Sequence, residues 1–276
     1  MARHPALLGA LGLVLAATAG CRAGGPGFSG PDVLYVATPD LVGLEMLRLA
    51  GVTTGDVVYD LGSGDGRLII AAARDFGARG VGVEIEPALV QTSRESALTA
   101  GVGDRVQFLW QDLFAADIRG ATVVALYLRD DVNLRLRPRL LRELRPGTRI
   151  VSHDFGMADW RPDRLQRVRG PDREHTIYYW LVPADVAGTW RATLRPGEGE
   201  KAAVIELRQR FQQVSGTLDL EERRITVEGR LAGEQLSFTA EGVVFTARIE
   251  GDLAAGRFGE PGGRSSEWSA RRRTGR

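Results

Sequence analysis

Residues 57–66, Val-Val-Tyr-Asp-Leu-Gly-Ser-Gly-Asp-Gly, constrain this chain more than any other stretch. A short apolar run ends in an acid, Asp60, and glycines follow at alternate positions, Gly62, Gly64 and Gly66. A helix-forming run, Arg67–Arg74, comes next. Glycines at a strand-to-helix turn let the backbone bend sharply and approach a ligand with no Cβ in the way. A nicotinamide-dinucleotide fingerprint would place its third glycine three residues after the second, but position 67 is arginine. A carboxylate at the head of the loop suits a cationic amino acid better than a pyrophosphate.

The residues around this loop alternate between strand and helix signals. Leu41, Leu44 and Leu47 behind Pro39 predict a helix over Asp40–Ala50. Strands are expected at Val57–Leu61, Gly80–Ile85, Val106–Gln111, Thr122–Leu128 and Arg149–Phe155. Helices are expected at Arg67–Phe76, Pro87–Ala100 and Val132–Leu144. Such alternation implies an α/β fold with a mostly parallel sheet covered by helices on both faces. Ligands of such sheets bind at the carboxyl ends of the strands. Acids stand at two further strand ends: Glu84, 22 residues after Gly62, at the spacing of a ribose-binding carboxylate, and Asp112, which can accept from an adenine amino group.

Together these features resemble class I S-adenosylmethionine-dependent methyltransferases, over roughly residues 33–183. Three motifs narrow the resemblance: Tyr35-Val-Ala-Thr38-Pro39, Asp60-Leu-Gly-Ser-Gly-Asp-Gly66-Arg67 and Val151-Ser-His-Asp-Phe155. They are similar to bacterial relatives of the mitochondrial protein-lysine methyltransferases that modify the ATP synthase c-subunit and the adenine nucleotide translocase. The resemblance implies a seven-stranded, Rossmann-like sheet, its antiparallel edge hairpin formed by Leu165–Arg169 and Thr176–Val182. It implies S-adenosylmethionine as cofactor, held by Asp60, Gly62, Ser63, Gly64, Asp65 and Gly66 at the amino-acid end, Glu84 at the ribose and Asp112 at the adenine. Tyr35 and Thr38 would close over it, or merely pack before the first helix.

A protein lysine is the acceptor the resemblance favours. The alternatives are a small-molecule acceptor, or an exported, non-catalytic binding protein built on this fold. The Asn/Asp-Pro-Pro-aromatic signature of amide and adenine methyltransferases is absent after the fourth strand. Tyr127 is a candidate wall of the acceptor channel, or a core residue. His153 and Asp154, at the end of the fifth strand, form a candidate general-base pair, or a hydrogen-bonded strand end. No His, Cys and carboxylate grouping shows metal-ligand spacing, so no metal is expected.

After Pro183 helical periodicity stops. Eight short alternating runs follow between Gly188 and Arg271, split by turn signals such as Pro196-Gly197, and read as a small all-β barrel or sandwich. They carry no catalytic constellation, so substrate presentation, partner contact or plain stabilisation are the roles left to them. The expected division is a leader at 1–21, a Gly/Pro linker at 22–31, the methyltransferase domain at 32–184 and the β-rich domain at 185–276.

The net charge of +1 gives no global field to attract nucleic acid, and none is expected as a partner. Arg3 and His4 precede an uncharged Ala/Leu/Gly-rich stretch, 5–20, too short to span a bilayer but fitting a secretory signal. Cys21, the only cysteine, stands where a bacterial lipoprotein is acylated, although Thr18 departs from the usual aliphatic residue. Export and membrane anchoring through Cys21 are therefore expected, with a cytoplasmic protein if the leader stays uncleaved. Export would separate the enzyme from the cytosolic supply of its cofactor.

Overall fold

A computed structural model of the chain describes residues 36–197 and 199–273. Tyr35, Cys21 and the leader and linker expectations lie outside the described residues. The first layer comprises α1 (Asp40–Leu49), β1 (Val57–Leu61), α2 (Arg67–Phe76), β2 (Arg79–Glu84), α3 (Pro87–Thr99), β3 (Val106–Trp110), β4 (Val123–Leu126), α4 (Asp130–Glu143), β5 (Arg149–His153), β6 (Arg164–Arg169) and β7 (Glu174–Leu181). The seven strands form one sheet in the order β3-β2-β1-β4-β5-β7-β6. Strands β1–β5 run parallel, and β7 is antiparallel to both β5 and β6. This is the mostly parallel methyltransferase sheet with its edge hairpin.

The local chemistry of the sequence explains these elements. Strand β4 is buried along its whole length and reads as the uninterrupted apolar run Val-Val-Ala-Leu, as a central parallel strand covered on both faces must. Helix α2 is bounded by left-handed glycines at both ends, and its apolar side, Leu68, Ile69, Ala72 and Ala73, is buried. Helix α4 begins at Asp130, two residues before the expected Val132, because Asp130 and Asp131 complement the positive end of the helix. Strand β4 stops at Leu126 and β5 at His153, earlier than expected. Tyr127 and Asp154 therefore sit just past strand ends. The core lies in two layers on either side of the sheet, one with Val42, Leu47, Ile69 and Phe108, the other with Leu136, Leu140, Trp160 and Trp180.

The remaining strands are β8 (Gly188–Arg195), β9 (Lys201–Arg210), β10 (Gln213–Leu220), β11 (Arg223–Ala232), β12 (Gln235–Ala240), β13 (Val243–Glu250), β14 (Leu253–Gly259) and β15 (Ser266–Arg272). They make an antiparallel meander that closes into a barrel where β15 pairs with β8. Inward and outward residues alternate along the strands, as in β12 with Leu236, Phe238 and Ala240 buried. Phe238 stacks on Phe245 at 4.8 Å, and Trp268 meets both edge-on, so side chains fill the barrel.

The barrel docks on the sheet through Gln212, which is 5% exposed. Its Oε1 accepts from Trp160 Nε1 at 3.0 Å, and its Nε2 donates to the Arg161 carbonyl and to Asp163. Phe211 stacks on Trp160 beside it. Among the described residues no helix is long and apolar enough to cross a membrane.

Candidate active site

A cleft opens at the carboxyl ends of β1, β2, β3 and β4, lined by Asp60, Gly62, Ser63, Asp65, Glu84 and Asp112 from three successive strand ends. Thr38 and Tyr127 also face it. Gly62, Gly64 and Gly66 all take positive φ, of 88°, 54° and 79°. At Gly66 a Cβ would come within 2.7 Å of the Phe108 ring, so only glycine allows the loop to lie down on β3.

Glu84 fastens this loop. One carboxylate oxygen accepts from Gly64 N at 2.8 Å, and the other accepts from Ile85 N at 2.8 Å and Glu86 N at 3.0 Å. The Ser63 hydroxyl is buried and has no hydrogen-bond partner among the described residues. Asp65 lines the cleft too, but its carboxylate is also held by Arg67, 2.6 Å away. Asp112 accepts from Phe114 N at 2.8 Å.

Burial, and then the nearby Glu84 and Asp65 carboxylates, push the Asp60 carboxyl well above the usual carboxylate range. A convergence of acids at the floor of a cleft is relieved by a cationic ligand. A sulfonium amino acid attached to a ribose and a purine fits this set: carboxylates for the cation and the hydroxyls, a hydroxyl without a partner among the described residues, and glycines that bring the loop backbone close.

His153 and Asp154, the candidate general-base pair, are not among the residues that line the cleft. His153 is wholly buried behind its wall. It reaches the cleft through Thr38 Oγ1, 3.2 Å from its Nδ1, and through the Tyr127 ring, stacked on it at 3.9 Å. Burial lowers the His153 pKa to about 4, against the pull of Asp154. Asp154 turns away from the cleft. Burial opposes its ionisation, but Arg173 and the Thr176 amide outweigh that and hold its carboxyl below the usual range. Burial, then the Asp154 charge, raises the Tyr127 phenol.

His175, which stood out in no motif, lies against His153, with Nδ1 2.9 Å from His153 Nε2. It is 22 residues from His153, and only the pairing of β5 with β7 unites them.

Fold and cleft together define a class I S-adenosylmethionine-dependent methyltransferase. Comparison with known proteins agrees. The sequence model described as the ANTKMT methyltransferase domain matches residues 60–164. A protein-lysine N-methyltransferase of Saccharolobus islandicus (strain REY15A) is 42% identical over 153 residues, 55% of this chain and 95% of its own. The adenine nucleotide translocase lysine N-methyltransferase of Mus musculus is 36% identical over 105 residues, 38% of this chain and 46% of its own. A crystal structure described as an RNA methyltransferase from Salinibacter ruber in complex with S-adenosyl-L-homocysteine shares 54% identity. The match covers 55% of this chain and 96% of that one, with a TM-score of 0.53. The chain belongs to the family of the Saccharolobus enzyme, within the class I S-adenosylmethionine-dependent methyltransferases, and its cofactor is S-adenosylmethionine.

Proposed function

We propose that this enzyme methylates a lysine side chain of a protein. The observation that carries the reading is the 42% identity to a protein-lysine N-methyltransferase across 95% of that enzyme's length. The bound cofactor supplies an electrophilic methyl group. On this reading Asp60 and the glycine loop hold its amino-acid end, Glu84 the ribose and Asp112 the adenine. The protein's part is to orient and to exclude water.

An amine attacks only when neutral, and a desolvated site favours that form. Tyr127 and its apolar neighbours Leu126, Leu128 and Val132 give the cleft such a wall. Thr38 and Tyr127 frame the acceptor, and His153 behind them is a positioning residue.

RNA is the second reading, because the Salinibacter relative is described as an RNA methyltransferase. Incubating the full chain with methyl-labelled cofactor and a bacterial extract separates the two. Label that is released by protease, resists ribonuclease and elutes as methyl-lysine after acid hydrolysis is expected. Label removed by ribonuclease, or confined to small metabolites, overturns the lysine assignment.

For placement, export and anchoring through an acylated Cys21, with 22–31 as tether, rest on the leader pattern alone. One acyl chain binds membranes only marginally, so stable anchoring needs several. Mass analysis of the mature N-terminus tests this, and an intact Met1 on a protein in the cytoplasmic fraction defeats it.

A further inference from the structure

His153 leads away from the cleft to His175 and Asp154, which have no part in the proposed methyl transfer. It closes β5, His175 is the second residue of β7, and Asp154 follows His153. Three atoms converge there. His153 Nε2 lies 2.9 Å from His175 Nδ1. Asp154 Oδ2 is 3.2 Å from the first and 3.4 Å from the second.

The outer nitrogen of each ring faces an oxygen, Thr38 Oγ1 at 3.2 Å for His153 and Asp172 Oδ1 at 3.0 Å for His175. A carboxylate only accepts, so His175 Nε2 carries a proton and its Nδ1, in the neutral ring, turns a lone pair inward. Asp154 Oδ2 turns in another. With Thr38 accepting from His153 Nδ1, His153 Nε2 provides the third.

The backbone is bent to make this meeting. Asp154 adopts a left-handed φ of 59°, a conformation uncommon for non-glycine residues. Its own amide donates to the Thr176 carbonyl at 2.7 Å, and its Oδ1 accepts from Thr176 N at 2.8 Å. That clamp leaves Oδ2 facing the two rings.

We propose that His153 Nε2, His175 Nδ1 and Asp154 Oδ2 bind a divalent transition-metal ion. Atoms separated by 2.9, 3.2 and 3.4 Å lie on a circle of radius about 1.8 Å. At the roughly 2.0–2.1 Å of zinc–nitrogen and zinc–oxygen bonds, an ion sits about 0.9 Å off their plane. Two imidazoles and one carboxylate suit zinc and its neighbours rather than calcium or magnesium. An oxygen on the outer N–H of each ring fixes the tautomer and orients the ligand, as around known metal-bound histidines.

Arg173 also donates to Asp154 Oδ2, but it is 50% exposed and can withdraw into water as the ion enters. The ion would tie the end of β5 to the start of β7 directly behind Tyr127 and so stiffen the acceptor wall. The inference stands whatever the methyl acceptor is.

The test is zinc binding by the full chain after treatment with a chelator, followed by calorimetry and elemental analysis. About one equivalent is expected. His175→Gln should weaken binding at least 100-fold. Asp172→Asn, at an exposed residue that leaves the fold intact, should weaken it by about 10- to 100-fold. Cobalt in place of zinc should give the visible absorption of a four- or five-coordinate ion. Three results each overturn the proposal: binding far below one equivalent, affinity unchanged in His175→Gln, or cobalt retaining the spectrum of its hydrated ion. The cluster would then be a hydrogen-bonded histidine pair and nothing more.

Discussion

Glu84→Gln isolates what one carboxylate does for both the fold and the ligand. Glu84 accepts three backbone amides, Gly64 on one oxygen and Ile85 and Glu86 on the other, and so ties the glycine loop to the end of β2. Glutamine keeps the shape but replaces one oxygen by an NH₂ group. The remaining oxygen serves Ile85 and Glu86, and the NH₂ then meets the buried Gly64 N–H, donor against donor. A buried N–H left without an acceptor costs about 1–3 kcal/mol. In a protein of this size each kcal/mol moves Tm by roughly 2–4 °C, so Tm should fall by about 2–12 °C. On the proposed binding mode the ribose also loses its charged acceptor. A loss of about 1.4–2.8 kcal/mol weakens S-adenosylhomocysteine binding by about 10- to 100-fold. Scanning calorimetry of the ligand-free protein and titration calorimetry with S-adenosylhomocysteine read the two effects separately. A variant with Tm within about 1 °C of the parent and Kd within about twofold would refute both halves of the reasoning.

Three other substitutions test other parts of the structure. The Asp60 carboxyl is raised in the folded protein, so its stabilising contribution is full below the unfolded carboxylate pKa and is lost as pH rises through the folded value. Asp60→Asn should therefore gain Tm relative to the parent as pH increases, and should weaken S-adenosylmethionine more than its neutral-sulfur product; parallel Tm–pH curves would contradict this. Gln212→Ala strips the Trp160 indole N–H of its buried acceptor and should cost about 1–3 kcal/mol in denaturant unfolding, with S-adenosylhomocysteine affinity unchanged. Gly66→Ala combines a left-handed φ with a Cβ 2.7 Å from Phe108 and should cost about 2–4 kcal/mol on the same assay; a loss below about 0.5 kcal/mol would show that the loop yields.

Much of the catalytic layer was legible because local signals there agree. Helix α2 occupies the predicted span since glycine bounds it on both sides, and Pro87 marks the start of α3. Asp60, Glu84 and Asp112 could be placed together because parallel strands carry their carboxyl ends to one edge. The barrel's eight strands showed in their alternation, which fits a barrel or a sandwich alike; the choice of the barrel depends on β15 reaching β8 across the length of the meander.

What could not be read are the contacts that antiparallel pairing and docking create. His175 has no partner within its own segment except Asp172, and only the register of β5 against β7 brings it to His153. The acid three residues before a histidine at a strand start was the one signal available. Gln212 sits in the turn before β10, between Phe211 and Gln213, and nothing in its neighbourhood announces a buried partner 52 positions upstream. Tyr127 was placed inside a strand that ends one residue earlier, a boundary that depends on hydrogen bonding rather than on apolar content.

The closure of the barrel has a consequence for how the chain could be rearranged. Because β15 lies beside β8, the barrel's entry and exit are neighbours: Arg273 N donates to the Thr189 carbonyl at 2.8 Å, and Arg272 reaches Asp185 at 3.0 Å. A short peptide could join the two ends, and new termini could be opened at an exposed hairpin turn such as Gly251, with the β-ladder preserved. In evolutionary terms, a β-unit whose ends meet at one point can be gained, lost or exchanged as a cassette without rethreading the enzyme beside it.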